Sequence, residues 1–158
     1  MNIDRKSKHT TTSSEQSWQL AVALARAIEP PQVIELVGDL GGGKTTFVKG
    51  LAAGFGIGQV VTSPTFTIHR AYKFDGGSLE HFDLYRLQGQ DRDVVIDELA
   101  EAIADPQAVV AIEWAKPAER ILPSDRLIIE FDFVDENTRD LNFAATGPKS
   151  TKLLEALR

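Results

Sequence analysis

The chain has 158 residues, no cysteine, and 17 Lys plus Arg against 23 Asp plus Glu, for a formal charge of −6. This length suits one domain rather than two. The missing cysteines exclude disulfides, thiol nucleophiles and cysteine zinc sites, and the acidic balance argues against a protein that holds nucleic acid by phosphate neutralisation alone.

Residues 1–8 are polar and charged, and fraying is expected there. HTTTS (9–13) reads as a short edge strand. Ser13 to Gln16 has the spacing of a capping box, with a hydroxyl at the N-cap and an amide at N3. Trp18, Ala21, Val22, Ala25 and Ile28 follow at helical spacing, and Pro30-Pro31 ends that helix. VIELV (33–37) is an apolar run between turn signals, a buried strand. After a glycine-rich run, residues 44–54 read as a helix with Phe47, Val48, Leu51 and Ala52 on its apolar side.

TFTIHRAYKF (65–74) and LEHFDLY (79–85) flank Asp75-Gly76-Gly77 and predict a hairpin. Residues 91–104 carry Val94, Val95, Leu99, Ala102 and Ile103 at helical spacing, ended by Asp105-Pro106. AVVAIE (108–113) is a second buried strand. LIIEFDFV (127–134) and RDLNFAA (139–145) alternate around DENT as a second hairpin, and KSTKLLEAL (149–157) reads as a closing helix. Helices interleaved with apolar strands, with hairpins in the middle and at the end, predict a single-domain α/β sandwich. Its sheet is mixed, parallel at the centre and antiparallel at the flanks.

No apolar run approaches the ~18 residues that would span a bilayer. The opening residues 1–16 have basic side chains with no apolar stretch behind them, so no secretory signal and a cytoplasmic address are expected.

The run GDLGGGKTT (38–46) matches G-x-x-x-x-G-K-[ST]. Glycine costs backbone entropy, and such density has a physical use where amides must turn inward and approach an anion closely. The helix that follows aims its positive end at the same place. The loop residues Asp39, Gly41, Gly42, Gly43, Lys44, Thr45 and Thr46 form the expected phosphate cradle. Lys44 would reach the β- and γ-phosphates and Thr45 would place its hydroxyl on Mg²⁺. A strand before and a helix after make this a P-loop NTPase-like unit.

A metal bound to phosphates takes carboxylate support from the end of a neighbouring strand. Glu113 closes AVVAIE in that position, and Asp83 closes the run ahead of it similarly. Other residues leave alternatives open. Ser63 to Thr67 either sense a γ-phosphate or cap the lead-in to a strand. His81 is either a base or a structural strand histidine. Trp114 packs in the core or walls the nucleotide pocket, and Arg86 meets phosphate or pairs with Asp83. The base-reading Asn-Lys-x-Asp motif of GTPases is lacking, its nearest string being Tyr72-Lys73-Phe74-Asp75, and this favours ATP.

Taken together, GDLGGGKTTF (38–47), VTSPTFT (61–67), HFDLYRL (81–87), IEW (112–114) and the Leu122-Pro123 pair resemble the bacterial TsaE family in order and spacing over nearly the whole chain. The resemblance implies a Mg²⁺-dependent ATPase with weak turnover alone. It implies that Lys44 and the loop glycines bind ATP, that Thr45 and Glu113 hold Mg²⁺, and that Asp83 is required for hydrolysis. It implies a TsaB–TsaD pair as partner in making threonylcarbamoyladenosine, with tRNA met through that complex, and Ser13 or Ser14 near the adenine. The family usually has alanine at the position of Gly42, and often threonine and glycine at those of Ser17 and Ala21. Two other functions fit the same loop. A small-molecule kinase would need an arginine lid, for which residues 116–126 with Arg120 and Arg126 are the only lid-like stretch. A nucleotide-dependent binding switch would need no turnover.

Overall fold

The computed structural model describes residues 2–87 and 89–157. Its elements, in chain order, are strand β1 (Arg5–Thr11), helix α1 (Ser14–Ala27), β2 (Gln32–Val37), α2 (Lys44–Gly54), β3 (His69–Phe74), β4 (Gly77–Asp83), α3 (Arg92–Ala104), β5 (Ala108–Glu113), β6 (Leu127–Phe133), β7 (Arg139–Ala145) and α4 (Pro148–Ala156). The strands form one seven-stranded sheet in the order β1-β7-β6-β2-β5-β4-β3. The pairs β6–β2, β2–β5 and β5–β4 are parallel, and β1–β7, β7–β6 and β4–β3 are antiparallel. This is the mixed sheet expected, in a single α/β domain.

Period-two alternation decides what each sheet face carries. In β5, Val109 and Ala111 join the core cluster built with α1, α2 and α4, while Val110 and Ile112 join the cluster built with α3. All six residues of β5 are buried, because the strand is covered on both faces. Glu113 continues the face of Val109 and Ala111. In β4, Leu79 belongs to the α1/α2 cluster and Phe82 to the α3 cluster, so His81 and Asp83 share the α2 side. The strand pattern alone therefore carries two carboxylates and a histidine toward the helix that follows the glycine loop.

Helix α1 lies against α2 at close range. A Cβ built on Gly50 would sit 2.6 Å from Ala21 Cβ and 2.5 Å from the Trp18 carbonyl. Glycine is the residue that lets these two backbones meet.

Three local expectations are corrected. Fraying over residues 1–8 does not hold for Arg5–Lys8, which pair with β7 from Ala145 to Asn142; Met1 lies outside the described residues. Here alternation rather than hydropathy carries the strand: Arg5, Ser7, His9 and Thr11 turn inward, and the His9 ring packs edge-on against Phe143. The capping box is displaced by one residue. Ser13 Oγ accepts from Gln16 N as expected, but Gln16 Oε1 accepts from the Thr12 amide at 2.8 Å. Residues 65–67 form a turn rather than the start of β3, and a short 3-10 helix spans Lys116–Ile121.

Candidate nucleotide site

The loop leaves the carboxyl end of β2 and enters α2 through three left-handed glycines, with φ of 150° at Gly38, 76° at Gly41 and 100° at Gly43. A side chain at Gly38 would also strike the Phe131 carbonyl, 2.9 Å from an added Cβ. Gly43 is the N-cap of α2 and offers no side-chain cap. The amides of the first helical turn have no carbonyl one turn back to bond, so Lys44, Thr45 and Thr46 present free N–H groups at the positive end of the helix.

Asp83 and Glu113 are direct register partners on β4 and β5, and Glu113 also faces Leu36 of β2. Both acids are buried, at 3% and 4% exposure. They line a cavity of about 270 Å³ together with Leu40, Gly41 to Thr46, Ser63 and Thr65. Lys44, only 5% exposed, donates from Nζ to the Gly38 carbonyl at 2.6 Å and the Asp39 carbonyl at 2.8 Å. Burial pulls its ammonium below the usual 10.5, against the opposing pull of Glu113, Asp83 and Asp39.

Each acid is held from inside the fold. Asp83 Oδ1 accepts from the Tyr85 amide at 3.0 Å, and Oδ2 accepts from Thr65 Oγ1 at 2.7 Å. Glu113 Oε1 lies 2.9 Å from His81 Nε2, a diagonal contact between neighbouring strands. A carboxylate only accepts, so Nε2 carries the proton. His81 is fully buried, and its Nδ1 has no partner among the described residues. Full burial within β4 fits the structural strand histidine rather than a base. It fixes the direction of Glu113.

The oxygen donors of Thr45, Asp83 and Glu113 suit a hard cation such as Mg²⁺, which binds through one or two carboxylates and keeps waters and phosphate oxygens for the remaining positions. Among the described residues no group of three or more His, Cys, Asp or Glu could hold a metal ion by itself.

A second cavity, about 310 Å³, shares Gly41, Gly43 and Thr46 with the first and is otherwise lined by Ser13, Ser14, Ser17, Glu136, Asn137 and Arg139. Ser14 therefore stands on the far side of the loop from the acids. Ser17 bonds Thr11 through its hydroxyl at 2.7 Å. The hairpin-tip residues Glu136, Asn137 and Arg139 were not expected here. Their only local signal is a polar turn, and the sheet order alone brings β6–β7 beside β2.

Other candidate residues lie around this cavity rather than in it. Asp39 lies outside the phosphate cavity and serves the loop through its carbonyl. Its residue lines a third, larger crevice of about 870 Å³ at the carboxyl ends of β2, β5 and β6. Trp114, in left-handed backbone with φ 56°, packs partly against the α3 core and walls that crevice. The Lys44 ammonium lies 5.0 Å from its ring centroid. Arg86 makes no ion pair with Asp83 among the described residues; it stacks on Phe66 at 4.5 Å. Arg126 is no lid residue, because Glu35 takes its Nε–H at 2.8 Å and the Pro123 carbonyl takes Nη1 at 2.9 Å.

The fold and this site define the class: a single-domain α/β protein whose glycine loop joins a central parallel strand to a helix, with acids at the ends of the next two strands on one side, β5 and β4. A family model described as "Threonylcarbamoyl adenosine biosynthesis protein TsaE" matches residues 11–141. The chain is 38% identical to the tRNA threonylcarbamoyladenosine biosynthesis protein TsaE of Bacillus subtilis, over 95% of this chain and 92% of that protein. It is 40% identical to the TsaE protein of Aquifex aeolicus, over 80% and 87%. The crystal structure of Bacillus subtilis YdiB superposes with a TM-score of 0.83 at 34% identity, covering 99% of this chain and 97% of that one. The chain belongs to the TsaE family. Among the described residues, no helix is long and apolar enough to cross a membrane.

Proposed function

We propose that this protein is a Mg²⁺-dependent ATPase that supports tRNA threonylcarbamoyladenosine biosynthesis through a TsaB–TsaD-type partner pair in the cytoplasm. The observation that carries this reading is the convergence of free loop amides, Lys44, Thr45, Asp83 and Glu113 on one cavity of about 270 Å³. The triphosphate takes the amides of Gly41 and Gly43 to Thr46, the Gly42 amide being given to the Asp39 carbonyl at 3.0 Å, and the base and ribose take the cavity beside Ser13 and Ser14. Mg²⁺ at Thr45 and Glu113, with His81 holding that carboxylate in line, would supply charge neutralisation between the phosphates. Lys44 exchanges at least one loop carbonyl for a phosphate oxygen. Asp83 stands beside the γ-phosphate position, bound by Thr65 and Tyr85.

Exposed apolar residues surround this site. Leu40 on the loop and Phe66 beside Thr65 are 64% and 82% exposed. Such residues clustered at a functional rim suit contact with a partner protein, which would carry the tRNA that this acidic chain is ill suited to hold. The test is reconstitution with a TsaB–TsaD pair and tRNA. Modified tRNA forms with the unaltered chain and ATP, and fails to form with Lys44→Ala; equal yield from that variant refutes the reading.

The 870 Å³ crevice beside Trp114 favours one alternative, a small-molecule kinase with its acceptor seated there. The locked Arg126 weighs against it. Stoichiometric phosphorylation of a metabolite would select the kinase, whereas phosphate release without an acceptor selects the ATPase.

A further inference from the structure

The amides of Thr67 and Ile68 both donate to the Pro64 carbonyl, at 3.1 and 2.5 Å. That turn sets Ser63 and Thr65 side by side on the phosphate cavity. Ser63 Oγ lies 2.7 Å from Thr65 Oγ1, and Thr65 Oγ1 lies 2.7 Å from Asp83 Oδ2. The other Asp83 oxygen is taken by the Tyr85 amide.

A hydroxyl has one hydrogen to give and two lone pairs. The carboxylate of Asp83 can only accept, so the hydrogen of Thr65 is committed to it. The contact between Ser63 and Thr65 must then be donated by Ser63. Each hydrogen in the row points toward Asp83, and Ser63 keeps only lone pairs for the cavity.

This polarity decides which partner Ser63 can take in the cavity. A γ-phosphate oxygen is an acceptor and needs a donor, which Ser63 in this row no longer supplies. A water molecule has hydrogens to donate. We propose that Ser63 is a catalytic residue of the hydrolysis proposed above, holding the attacking water by accepting its hydrogen bond, with Thr65 and Asp83 as the positioning residues that set its polarity. The water then keeps a lone pair free for the γ-phosphorus, the alignment that phosphoryl transfer requires: as that bond forms, the bond from phosphorus to the β,γ-bridging oxygen breaks, ADP leaves, and the water's proton passes to the released phosphate. The inference rests on the ATPase reading and goes further in naming the groups that orient the nucleophile.

Two measurements on Ser63→Ala, Thr65→Val and Thr65→Ser test it. The first is calorimetric affinity for ADP and for a non-hydrolysable ATP analogue, each with Mg²⁺. The second is single-turnover phosphate release from ATP with protein in excess. The expected result is an unchanged ratio of analogue to ADP affinity in Ser63→Ala, with release slowed about 100-fold there and in Thr65→Val, and restored to within about threefold in Thr65→Ser. A selective loss of analogue affinity in Ser63→Ala would make Ser63 a phosphate donor and overturn the inference, as would unchanged release in that variant. Nucleotide binding with normal release in Ser63→Ala sinks this inference alone. Absence of binding or of phosphate release in the unaltered protein removes the ATPase reading and the inference together.

Discussion

Helices α2 and α4 begin in opposite circumstances. At α4 the chain supplies its own anion: Asp125 accepts from the Lys149 amide at 2.8 Å, the Ser150 amide at 3.0 Å and the Ser150 hydroxyl at 2.7 Å. At α2 the N-cap is Gly43 and no side chain closes the end. Both ends carry the same partial positive charge. One has it neutralised within the fold, which is a contribution to stability. The other has it directed into a cavity with free amides and a buried lysine, and there a foreign anion provides the neutralisation. The difference teaches how to tell a structural helix start from a binding one: by asking what already occupies it.

The sharpest way to break this comparison is at the open end. Lys44→Ala should lower ATP-dependent phosphate release by about 100-fold or more, the usual scale for removing a group aimed at developing charge. Its melting temperature should hold or rise, because a buried ammonium is removed. Release that persists at the original rate would mean the loop is not the phosphate site.

Next in size is the histidine behind Glu113. His81→Phe should weaken Mg²⁺ dependence about 10-fold or more, the scale found for groups that orient a metal ligand. Nucleotide binding measured without metal should stay unchanged. Equal weakening with and without Mg²⁺ would show that His81 acts only through packing.

At the closed end the expected effect is smaller and falls on stability. Asp125→Ala should cost about 1 kcal/mol, as lost N-terminal caps do, with ATP affinity untouched. Its pH dependence follows from its partners. Burial would raise the carboxyl, but hydrogen bonds from Ser150 and Lys149 outweigh it and hold the group below the usual 3.8. A carboxyl depressed on folding stabilises fully above its unfolded pKa and loses that contribution as pH falls through the folded one. The gap between the unaltered protein and Asp125→Ala should therefore close below about pH 4 in thermal melts. A gap that persists into strong acid would show that packing, not charge, matters there.

The smallest effect belongs to Asp39. Its side chain lies outside the phosphate cavity and its carbonyl survives substitution, so Asp39→Ala should change ATP affinity by no more than about twofold. A larger loss by calorimetry would return that side chain to the nucleotide.

What sequence could disclose divides along the same line as the two helix ends. The open end is built from neighbours. VIELV, GDLGGGKTT and FVKGLAAG follow one another, so a strand, a loop and a helix with an apolar face are visible together. The parallel centre was legible for a similar reason, since AVVAIE is apolar on both faces. The closed end joins residues 24 and 25 positions apart, and no periodicity links Asp125 to Lys149 and Ser150. His81 and Glu113 are similarly distant, and only the register of β4 on β5 brings them together. Thr65 reaches Asp83 because the segment meant for a strand turns back at Pro64. β1 was missed in part because RKSKHTT carries no apolar residue, though its inward positions are covered all the same. Local chemistry showed in the sequence, and contacts made by sheet order did not.

The central claim is that the uncapped start of α2 is where a triphosphate binds, with Thr45 and Glu113 meeting its metal. A crystal structure with Mg²⁺ and a non-hydrolysable ATP analogue tests this directly. The account predicts phosphate oxygens on the amides of Gly41 and Gly43 to Thr46 and Mg²⁺ bonded to Thr45 Oγ1 on the side facing Glu113. A triphosphate seated instead in the crevice beside Trp114, with the amides of α2 left free, would contradict it.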